Sequence, residues 1–582
     1  MKTLKITTIM LALFTICACQ KENANLLIIE AESMSGSKML VRENHSYWAT
    51  DDQVLINGQT YPISIGQNGQ VSVDLTGHPI EAPFCGVYPA SLNPSISGNN
   101  YTIGLPHSYT YSTLATTLLG EAVNLQNLQT PMLAYRQGDG NRLLFKHITA
   151  AITVEITNNF GFNIKVTNVT VSSNKYQLSG ERTIDITNIE NSVPACTTST
   201  AADKQVQMTF TTVSGNASCL NIASGGTSRV QIPVLPVGSD NRFTISVTVQ
   251  NTDGTKTYTF SKSQAEESTQ TNFALLRAQI GYAPAKFGGV FSVSATEQVR
   301  FAPGNLQYQA STGTWRFAEH QYDCICHGAY GNVSENGTLC DNANISDNYS
   351  GWIDLFGWGT SGWDGRVNLS EEGNPPFYGR YYQPYSTDHS NGALYGPPGT
   401  NDLTGSYMES DWGYKNYISN GGGATHLWRT LTAAEWDYLL FSRLNNTGTH
   451  RSGNASVAGV IGIIILPDDF IDPMKRDGNQ AFYPHYNAGG GSWYNNYTAE
   501  NWVFMEAAGA IFLPVTDQRD GTTFGKSTTG VYWSSTHYES TEYSDKEAHT
   551  MYFNVDHHGM GHNPRYMGQA VRLVRNNNHE TK

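Results

Sequence analysis

A period-two alternation of apolar and polar residues marks the first half of the chain. Between residues 152 and 157, isoleucine and valine alternate with threonine and glutamate, which is typical of a strand with one buried face. Two pairs of apolar runs flank turn sequences: Tyr61–Ile65 and Val71–Leu75 around Asn68-Gly69, and Phe243–Gln250 and Lys256–Phe260 around residues 251–254. Such turns supply the positive backbone angles of a tight hairpin. The pattern predicts two β-sandwiches, over residues 19–142 and 143–284.

The pattern changes near residue 284, where Pro284–Gly289 has the composition of a linker. Thr432 and Glu435 then have the spacing of a capping box, which predicts a helix from Ala433. The apolar stripe that this helix should bury is Trp436, Leu439 and Leu440. Buried strands are predicted at Val460–Leu466, Ala510–Leu513, Gly530–Thr536, Met551–Val555 and Ala570–Val574, the last with Arg572 pointing outward. The fold class is therefore mainly β with a C-terminal α+β domain, over residues 286–577.

The N-terminus has the pattern of an export signal. Lys2 and Lys5 precede an apolar stretch from Ile6 to Ala18, which is too short to cross a bilayer. Residues 16–19, Ile-Cys-Ala-Cys, resemble the lipobox of a bacterial lipoprotein. We expect residues 1–18 to be a signal peptide and Cys19 to carry the lipid, which would be the only membrane anchor and the only attached group. An unlipidated secretory peptide is the alternative, and it leads to the same export.

Charge and composition exclude some classes of partner. Lys and Arg number 35 against 49 Asp and Glu, and a net charge of −14 makes nucleic acid a poor partner. The 56 glycines, 32 tyrosines and 11 tryptophans, in a chain with 14% charged residues, are typical of β-structure with long polar loops.

The cysteines suggest disulfides in an oxidising compartment. Cys196 and Cys219 could close one loop, and Cys340 could pair with Cys324 or Cys326. The alternative is a zinc site, but C-x-C is not the usual ligand spacing, and no second ligand pair follows.

The first two units resemble the fimbrillin-like proteins of Bacteroidales, which build surface pili. The resemblance covers residues 19–284 and rests on the lipobox and on four segments: Val87–Ser91, Pro131–Tyr135, Leu144–His147 leading into residues 152–158, and Leu178–Gly180. It implies two transthyretin-like sandwiches, lipoprotein export, and assembly with other pilin subunits by strand exchange.

In that family a trypsin-like protease removes the first strand. The resemblance makes Leu26–Ile29 the removable strand and Arg42 the cut site, although an exposed arginine is usually only solvated. Strand exchange has a physical basis, because a sandwich that lacks one strand exposes an apolar groove and unpaired backbone groups.

The third domain resembles a domain of Bacteroidetes and Fibrobacter surface proteins, and more distantly the sulfatase-modifying (formylglycine-generating) group with its C-type-lectin-like fold. The resemblance rests on residues 304–308, 315–317, 354–362, 428–440, 532–535 and 571–574. The oxidase members need a late cysteine pair, but no cysteine follows Cys340, so we expect no enzyme activity. The residues with expected structural roles are Trp428, Arg429, Thr432, Glu435, Trp436, Trp533 and Arg572.

An aromatic segment of the third domain could bind a ligand, because aromatic rings stack on the C–H faces of sugars. Its candidates are Trp363, Tyr378, Tyr381, Tyr382 and Tyr385, and the alternative is that these rings only pack a long loop. Residues 556–562, which include three histidines, and Asp468, Asp469 and Asp472 could hold a metal ion, but ordinary polar loops are the alternative and no metal is expected.

These features predict a cell-surface lipoprotein that serves as an accessory or tip pilin, with the third domain as its adhesive module. Its partners would be other pilin subunits and a host or bacterial surface glycan or protein. The alternatives are a glycan- or protein-binding surface lipoprotein outside any pilus, and an enzyme of the sulfatase-modifying type.

Overall fold

The computed structural model describes residues 26–33, 35–36, 48, 51–113, 130–212, 220–251, 254, 256–263, 274–309, 311–325, 351–359, 395–443, 451–473, 495–516, 518–520, 523–524, 529–539, 546–554 and 557–576. Within these ranges the chain forms many small sheets and few helices, which confirms the prediction of a mainly β protein. No helix in the described ranges is long and apolar enough to span a membrane.

The first unit is built around a sheet that closes on itself. Its strands follow the order β1-β11-β10-β6-β3-β4-β5, and β5 pairs back to β1. The predicted hairpin is confirmed, because β4 and β5 pair antiparallel and Gly69 has a φ of +78°. The strands up to residue 147 are β1 Leu26–Ala31, β2 Ser35–Gly36, β3 Gln53–Ile56, β4 Gln59–Ile65, β5 Val71–Asp74, β6 Phe84–Tyr88, β7 Ser95–Ser97, β8 Asn100–Leu105, β9 Ser108–Thr113, β10 Met132–Arg136 and β11 Arg142–His147.

The second unit is a sandwich of two sheets, ordered β17-β12-β20-β2 and β19-β18-β13-β15-β9. Alternate residues of β12, including Ile152, Val154 and Ile156, are buried between the sheets, as the sequence pattern predicts. The second predicted hairpin, β18 with β19, is also confirmed. The strands are β12 Ala150–Asn159, β13 Ile164–Ser173, β14 Gly180–Asp185, β15 Gln205–Thr212, β16 Leu220–Ile222, β17 Thr227–Val234, β18 Phe243–Asn251, β19 Thr257–Ser263 and β20 Gln279–Gly288.

The two units share strands. β8 pairs with β14, and β9 pairs in parallel with β15, so strands that precede residue 142 add to sheets formed by later ones. β11, which begins at Arg142, pairs with β1 and β10 of the first sheet. The first two units are therefore joined by backbone hydrogen bonds in several places.

The interpretation of Pro284–Gly289 as a linker is wrong. This segment is mostly the end of β20, which pairs in parallel with β12 from Ile280 to Gly288. Proline is tolerated there because β2 pairs with β20 only at residues 279 and 280, which leaves β20 at the sheet edge around Pro284. The paired strand leads directly into the third domain.

The third domain consists of short sheets and short helices. Its strands are β21 Phe291–Ser292, β22 Gln298–Phe301, β23 Leu306–Gln309, β24 Thr314–Phe317, β25 Trp352–Ile353, β26 Arg429–Thr430, β27 Ser452–Val457, β28 Val460–Ile465, β29 Asn495–Tyr497, β30 Ile511–Pro514, β31 Arg519–Asp520, β32 Thr523–Phe524, β33 Gly530–His537, β34 Glu547–Phe553, β35 His558–Pro564 and β36 Leu573–Asn576. The α-helices in the described ranges are α1 Trp412–Lys415, α2 Ala433–Asp437 and α3 Ala499–Ala507. Every residue of β28 is buried, as its apolar run predicts.

The predicted helix start at Ala433 is confirmed. The Thr432 hydroxyl accepts from the Glu435 backbone N–H at 3.2 Å, and the Glu435 carboxylate accepts from the Thr432 N–H at 2.8 Å. The predicted stripe of Trp436, Leu439 and Leu440 is buried. The capping box therefore fixes where this helix begins.

The Thr432→Ala substitution is expected to lower the free energy of unfolding by about 1 kcal/mol, because it removes one side of the capping box. Thr432→Ser keeps the hydroxyl and should stay near the parent value. Urea unfolding of both variants measures the difference, and equal loss in the two would mean that packing of the methyl group matters more than the cap.

The second unit and the third domain meet through a buried ion pair. Lys256 Nζ, immediately before β19, lies 2.6 Å from both carboxylate oxygens of Glu506 on α3, and the two side chains are only 9% and 2% exposed. The Tyr258 hydroxyl donates to Glu506 at 3.1 Å, and Arg575 donates to the Gly161 carbonyl at 2.9 Å. These contacts fix the third domain on the sandwich.

His147 makes the stability of the first unit sensitive to acid. Burial is the main reason that its pKa falls from 6.5 to about 4. Because the folded-state pKa is depressed, this contribution is present above pH 6.5 and is lost as the pH falls through 4. We expect the chain to lose about 3 kcal/mol through this group between pH 7 and pH 4. Urea titrations at the two pH values should show a smaller loss for His147→Gln, and an equal loss would contradict this account.

Candidate functional site

The aromatic candidates and the processing sites lie outside the described residues. These are Trp363, Tyr378, Tyr381, Tyr382, Tyr385, the lipidation residue Cys19 and the cut site Arg42. The two ends of the aromatic segment are described, at residues 351–359 and from residue 395 onward. The candidate site is therefore built from these ends and from the strands beside them.

The two ends of the aromatic segment meet on a buried tryptophan. Trp358 is fully buried, and its indole N–H donates to the Ser534 carbonyl at 2.8 Å. Gly396 has a φ of +72° and lies so close that a Cβ atom there would be 2.4 Å from the Trp358 ring. Trp358, before the aromatic segment, and Gly396, after it, are thus packed against one another.

A buried arginine holds this junction together. Arg565 has no exposed surface, and its guanidinium lies 4.4 Å from the centroid of the Trp358 ring. It donates to the carbonyls of Pro397 at 3.1 Å and Gly399 at 2.9 Å, and its Nε donates to the Glu547 carbonyl at 3.1 Å. A single side chain therefore links the loop ends to β34.

A group of polar and aromatic side chains, half-buried except for the exposed His562, lies beside this junction. We call it the histidine–tyrosine cluster, and its members are Asp402, His537, Tyr538, Glu547, His549 and His562. His537 Nδ1 lies 2.6 Å from Asp402, and His562 Nδ1 lies 3.1 Å from Glu547. The rings of Tyr538 and His562 stack with centroids 3.7 Å apart and an interplanar angle of 5°.

The electrostatics of the cluster favour neutral imidazole at its centre. Burial is the largest cause that lowers the pKa of His549, and the neighbouring His562 and His537 lower it further. The carboxylates and imidazoles of the cluster can exchange hydrogen bonds with hydroxyl groups, and the tyrosine ring can pack against a C–H face. This chemistry suits a polyhydroxylated or peptide ligand.

The residues with expected structural roles are buried or half-buried in the third domain. Trp428 and Trp533 donate their indole N–H groups to the carbonyls of Gly421 at 2.6 Å and Phe356 at 2.7 Å. Arg429 forms a bidentate pair with Glu435, at 2.7 and 2.6 Å. These contacts join the helix to the last strand, because Arg429 also donates to Asn576.

The prediction that Arg572 points outward is wrong. Its side chain is fully buried, and its guanidinium donates to the carbonyls of Ala302 at 3.2 Å and Phe512 at 2.6 Å. Burial lowers the pKa of this guanidinium to about 10. An arginine between two buried apolar residues here binds the carbonyls of neighbouring segments.

Cys196 lies at the surface, and its predicted partner Cys219 lies outside the described residues, so the Cys196–Cys219 pairing stays a prediction. The Cys196 sulfur faces solvent and lies 3.7 Å from the Thr197 carbonyl. Cys324 is buried, with its thiol 3.6 Å from the Val515 carbonyl. Cys326 and Cys340 also lie outside the described residues, so the second predicted pairing stays a prediction as well.

The acidic and histidine-rich candidates for metal binding have other partners. Asp468 accepts from the Ser292 backbone N–H and from Arg443, so its oxygens tie β21 to the core. His558 stacks on Phe441, while His557 packs edge-on against Tyr552. Across the described ranges, no group of three or more metal-binding side chains is arranged to hold an ion.

No protein-family model matches the chain, and no curated protein matches it. The solved structures to which it is similar include three Bacteroides chains, each described as a “putative cell adhesion protein”. The chain from B. ovatus is 13% identical, with a TM-score of 0.26, and the match covers 45% of this chain and 91% of that chain. The B. uniformis chain is 14% identical, with a TM-score of 0.26 and coverage of 45% and 93%. The B. fragilis chain is 10% identical, with a TM-score of 0.23 and coverage of 45% and 92%.

Proposed function

We propose that this protein is a lipid-anchored surface adhesin that serves as an accessory or tip subunit of a pilus. The lipobox-like sequence ending at Cys19 supports export and anchoring at the outer membrane. The interleaved first and second units support a stalk, and the third domain, with its histidine–tyrosine cluster, supports a binding head.

The observation that carries the proposal is the buried contact of Lys256 and Tyr258 with Glu506. An adhesive head must pass a pulling force to its support, and a head on a flexible tether would do so only through the chain. Here the force would also pass through a buried ion pair beside β19, which salt screens little because water is excluded from it. A head fixed in this way suits adhesion under load.

The tip position is the second part of the proposal. The third domain follows directly from β20, so it occupies the C-terminal side of the second sandwich. In the family that the first half resembles, a donor strand is offered from that side. A subunit that carries a folded head there would accept a strand from a neighbour without donating one, and it would therefore end the fibre.

Immunogold labelling of purified pili tests this placement. An antibody to the third domain is expected to label fibre ends. Label spaced evenly along the shaft would reject the tip role, and surface label on cells whose pili carry none would favour a surface lipoprotein outside the pilus. Loss of cell adhesion on deletion of the chain, with pili intact, is expected in either surface role and would reject a purely structural one.

Ligand binding by the head is expected to depend on Tyr538, because it is the tyrosine of the cluster, half-buried and stacked on His562. Tyr538→Ala should reduce retention on glycan or host-protein arrays by about ten-fold, the effect of one aromatic contact worth somewhat more than 1 kcal/mol. Tyr552→Ala, which removes a half-buried tyrosine from the neighbouring strand β34, is the matched control and should bind like the parent.

A further inference from the structure

The N-terminal segment joins the first two units to each other. β1 lies between β5 and β11 and completes the closed first sheet. A few residues later, β2 pairs in parallel with β20 of the second sandwich at Gln279 and Ile280. Between these two strands lies Glu32, at the point where the segment passes from one unit to the other.

The Glu32 carboxylate accepts hydrogen bonds from groups of both units. Its two oxygens form a bidentate ion pair with Arg277, which precedes β20, with one N···O distance of 3.0 Å. One oxygen also accepts from the backbone N–H of His147 at 3.1 Å, at the end of β11. Arg277 and Glu32 are only 15% and 25% exposed, so this pair is shielded from water and from salt.

The burial pattern of β1 indicates which side chains a strand in its place would need. Leu27 and Ile29 point into the first core and are 2% exposed, whereas Leu26 and Glu30 are exposed. A strand that took the place of β1 would find backbone partners on β5 and β11 and two apolar pockets. It would also leave Arg277 without its bidentate carboxylate, unless it carried one of its own at the position of Glu32.

We propose that the β1 groove selects the donor strand of a neighbouring pilin subunit by a carboxylate placed three residues after its second buried apolar residue. This inference rests on the strand exchange proposed above and adds the chemistry that would recognise the partner. Apolar side chains at the positions of Leu27 and Ile29 give affinity, as in other strand-addition complexes. The carboxylate at the position of Glu32 gives register, because a strand shifted by one residue would place it away from Arg277.

A peptide-exchange experiment on the full mature chain tests this inference. A recognition sequence for a site-specific protease is inserted between Lys38 and Met39, and the cleaved chain is incubated with a labelled peptide of residues 24–37 under mild urea. We expect the native peptide to enter the groove. The Glu32→Gln peptide is expected to bind about ten- to a hundred-fold more weakly, which is the effect of losing a charge-assisted pair.

The Glu30→Gln peptide is the matched control. Glu30 also pairs with an arginine, Arg142 at 2.8 Å, but both side chains are about half exposed, so this peptide should bind within about three-fold of the native one. The Glu32→Arg peptide added to the Arg277→Glu chain exchanges the two charges, and this combination should recover part of the lost peptide affinity. Equal binding of the Glu32→Gln and Glu30→Gln peptides would reject the carboxylate as the determinant while leaving strand exchange intact. Failure of the native peptide to enter would reject strand exchange itself.

Discussion

Replacing Glu506 with glutamine is expected to lower the free energy of unfolding by about 3–5 kcal/mol, because it leaves the Lys256 ammonium buried without a carboxylate. The loss should appear in urea unfolding of the second unit and the third domain together, since the pair joins them. It should also raise hydrogen exchange in β19 and α3, the two elements that carry the pair.

Asp469→Asn is the matched control for this prediction. Asp469 pairs with Lys286 at 2.9 Å, but the two side chains are 49% and 57% exposed, and such surface pairs contribute below about 1 kcal/mol. Replacing both members of the buried pair, Lys256→Met with Glu506→Leu, should restore much of the lost stability. If Glu506→Gln costs no more than Asp469→Asn, the second unit and the third domain are not coupled through this contact.

The second large effect is expected at Arg565. Arg565→Lys keeps the positive charge but cannot reach the carbonyls of Pro397, Gly399 and Glu547 at once, because lysine lacks the planar fork of donors. Loss of these charge-assisted hydrogen bonds should lower the free energy of unfolding by about 3 kcal/mol. Local opening should appear first, as faster hydrogen exchange in residues 395–403.

Arg242→Lys makes the same substitution at an exposed position of the second unit and is the control. It should change neither the free energy of unfolding nor the hydrogen exchange of residues 395–403. Ligand retention by the Arg565→Lys chain is expected to fall as well, since Arg565 fixes the junction beside the histidine–tyrosine cluster. Unchanged exchange in residues 395–403 would show that Trp358 packing alone holds the two ends together.

The sequence predicted the local elements where one pattern was strong. The alternation of residues 152–157, the Asn68-Gly69 hairpin and the Thr432–Glu435 capping box all appear as predicted, because each depends on residues close together in the chain. The all-apolar run of β28 also predicted a buried strand, since a strand buried on both faces shows no alternation of apolar and polar residues.

The contacts that join the units could not be predicted in this way. Lys256 and Glu506 are 250 residues apart, and the local sequence around each does not distinguish it from an ordinary exposed charged residue. Pro284 suggested a linker because proline usually interrupts a strand. In the structure it lies where β20 has no partner strand on one side, and proline is tolerated at such a sheet edge. Arg572 was placed outward for a similar reason: alternation gives the face of a strand but does not show that a neighbouring segment covers it.

The candidate site shows the same limit. His549 and His562 lie directly opposite each other on β34 and β35, and His537 lies opposite Ala548, so only the strand register brings these histidines together. The sequence emphasised the histidines of residues 557–562 because they are adjacent in the chain. In the structure only His562 of that group belongs to the histidine–tyrosine cluster.

We propose above all that the third domain is a head that binds an external ligand. The most direct measurement is retention of the full mature chain on combined arrays of surface glycans and host proteins, in parallel with its Tyr538→Ala and Tyr552→Ala variants. The account predicts selective retention of the parent and the Tyr552→Ala chain, with about ten-fold weaker retention of the Tyr538→Ala chain. Retention of none of the three, or equal retention of all three, would contradict it.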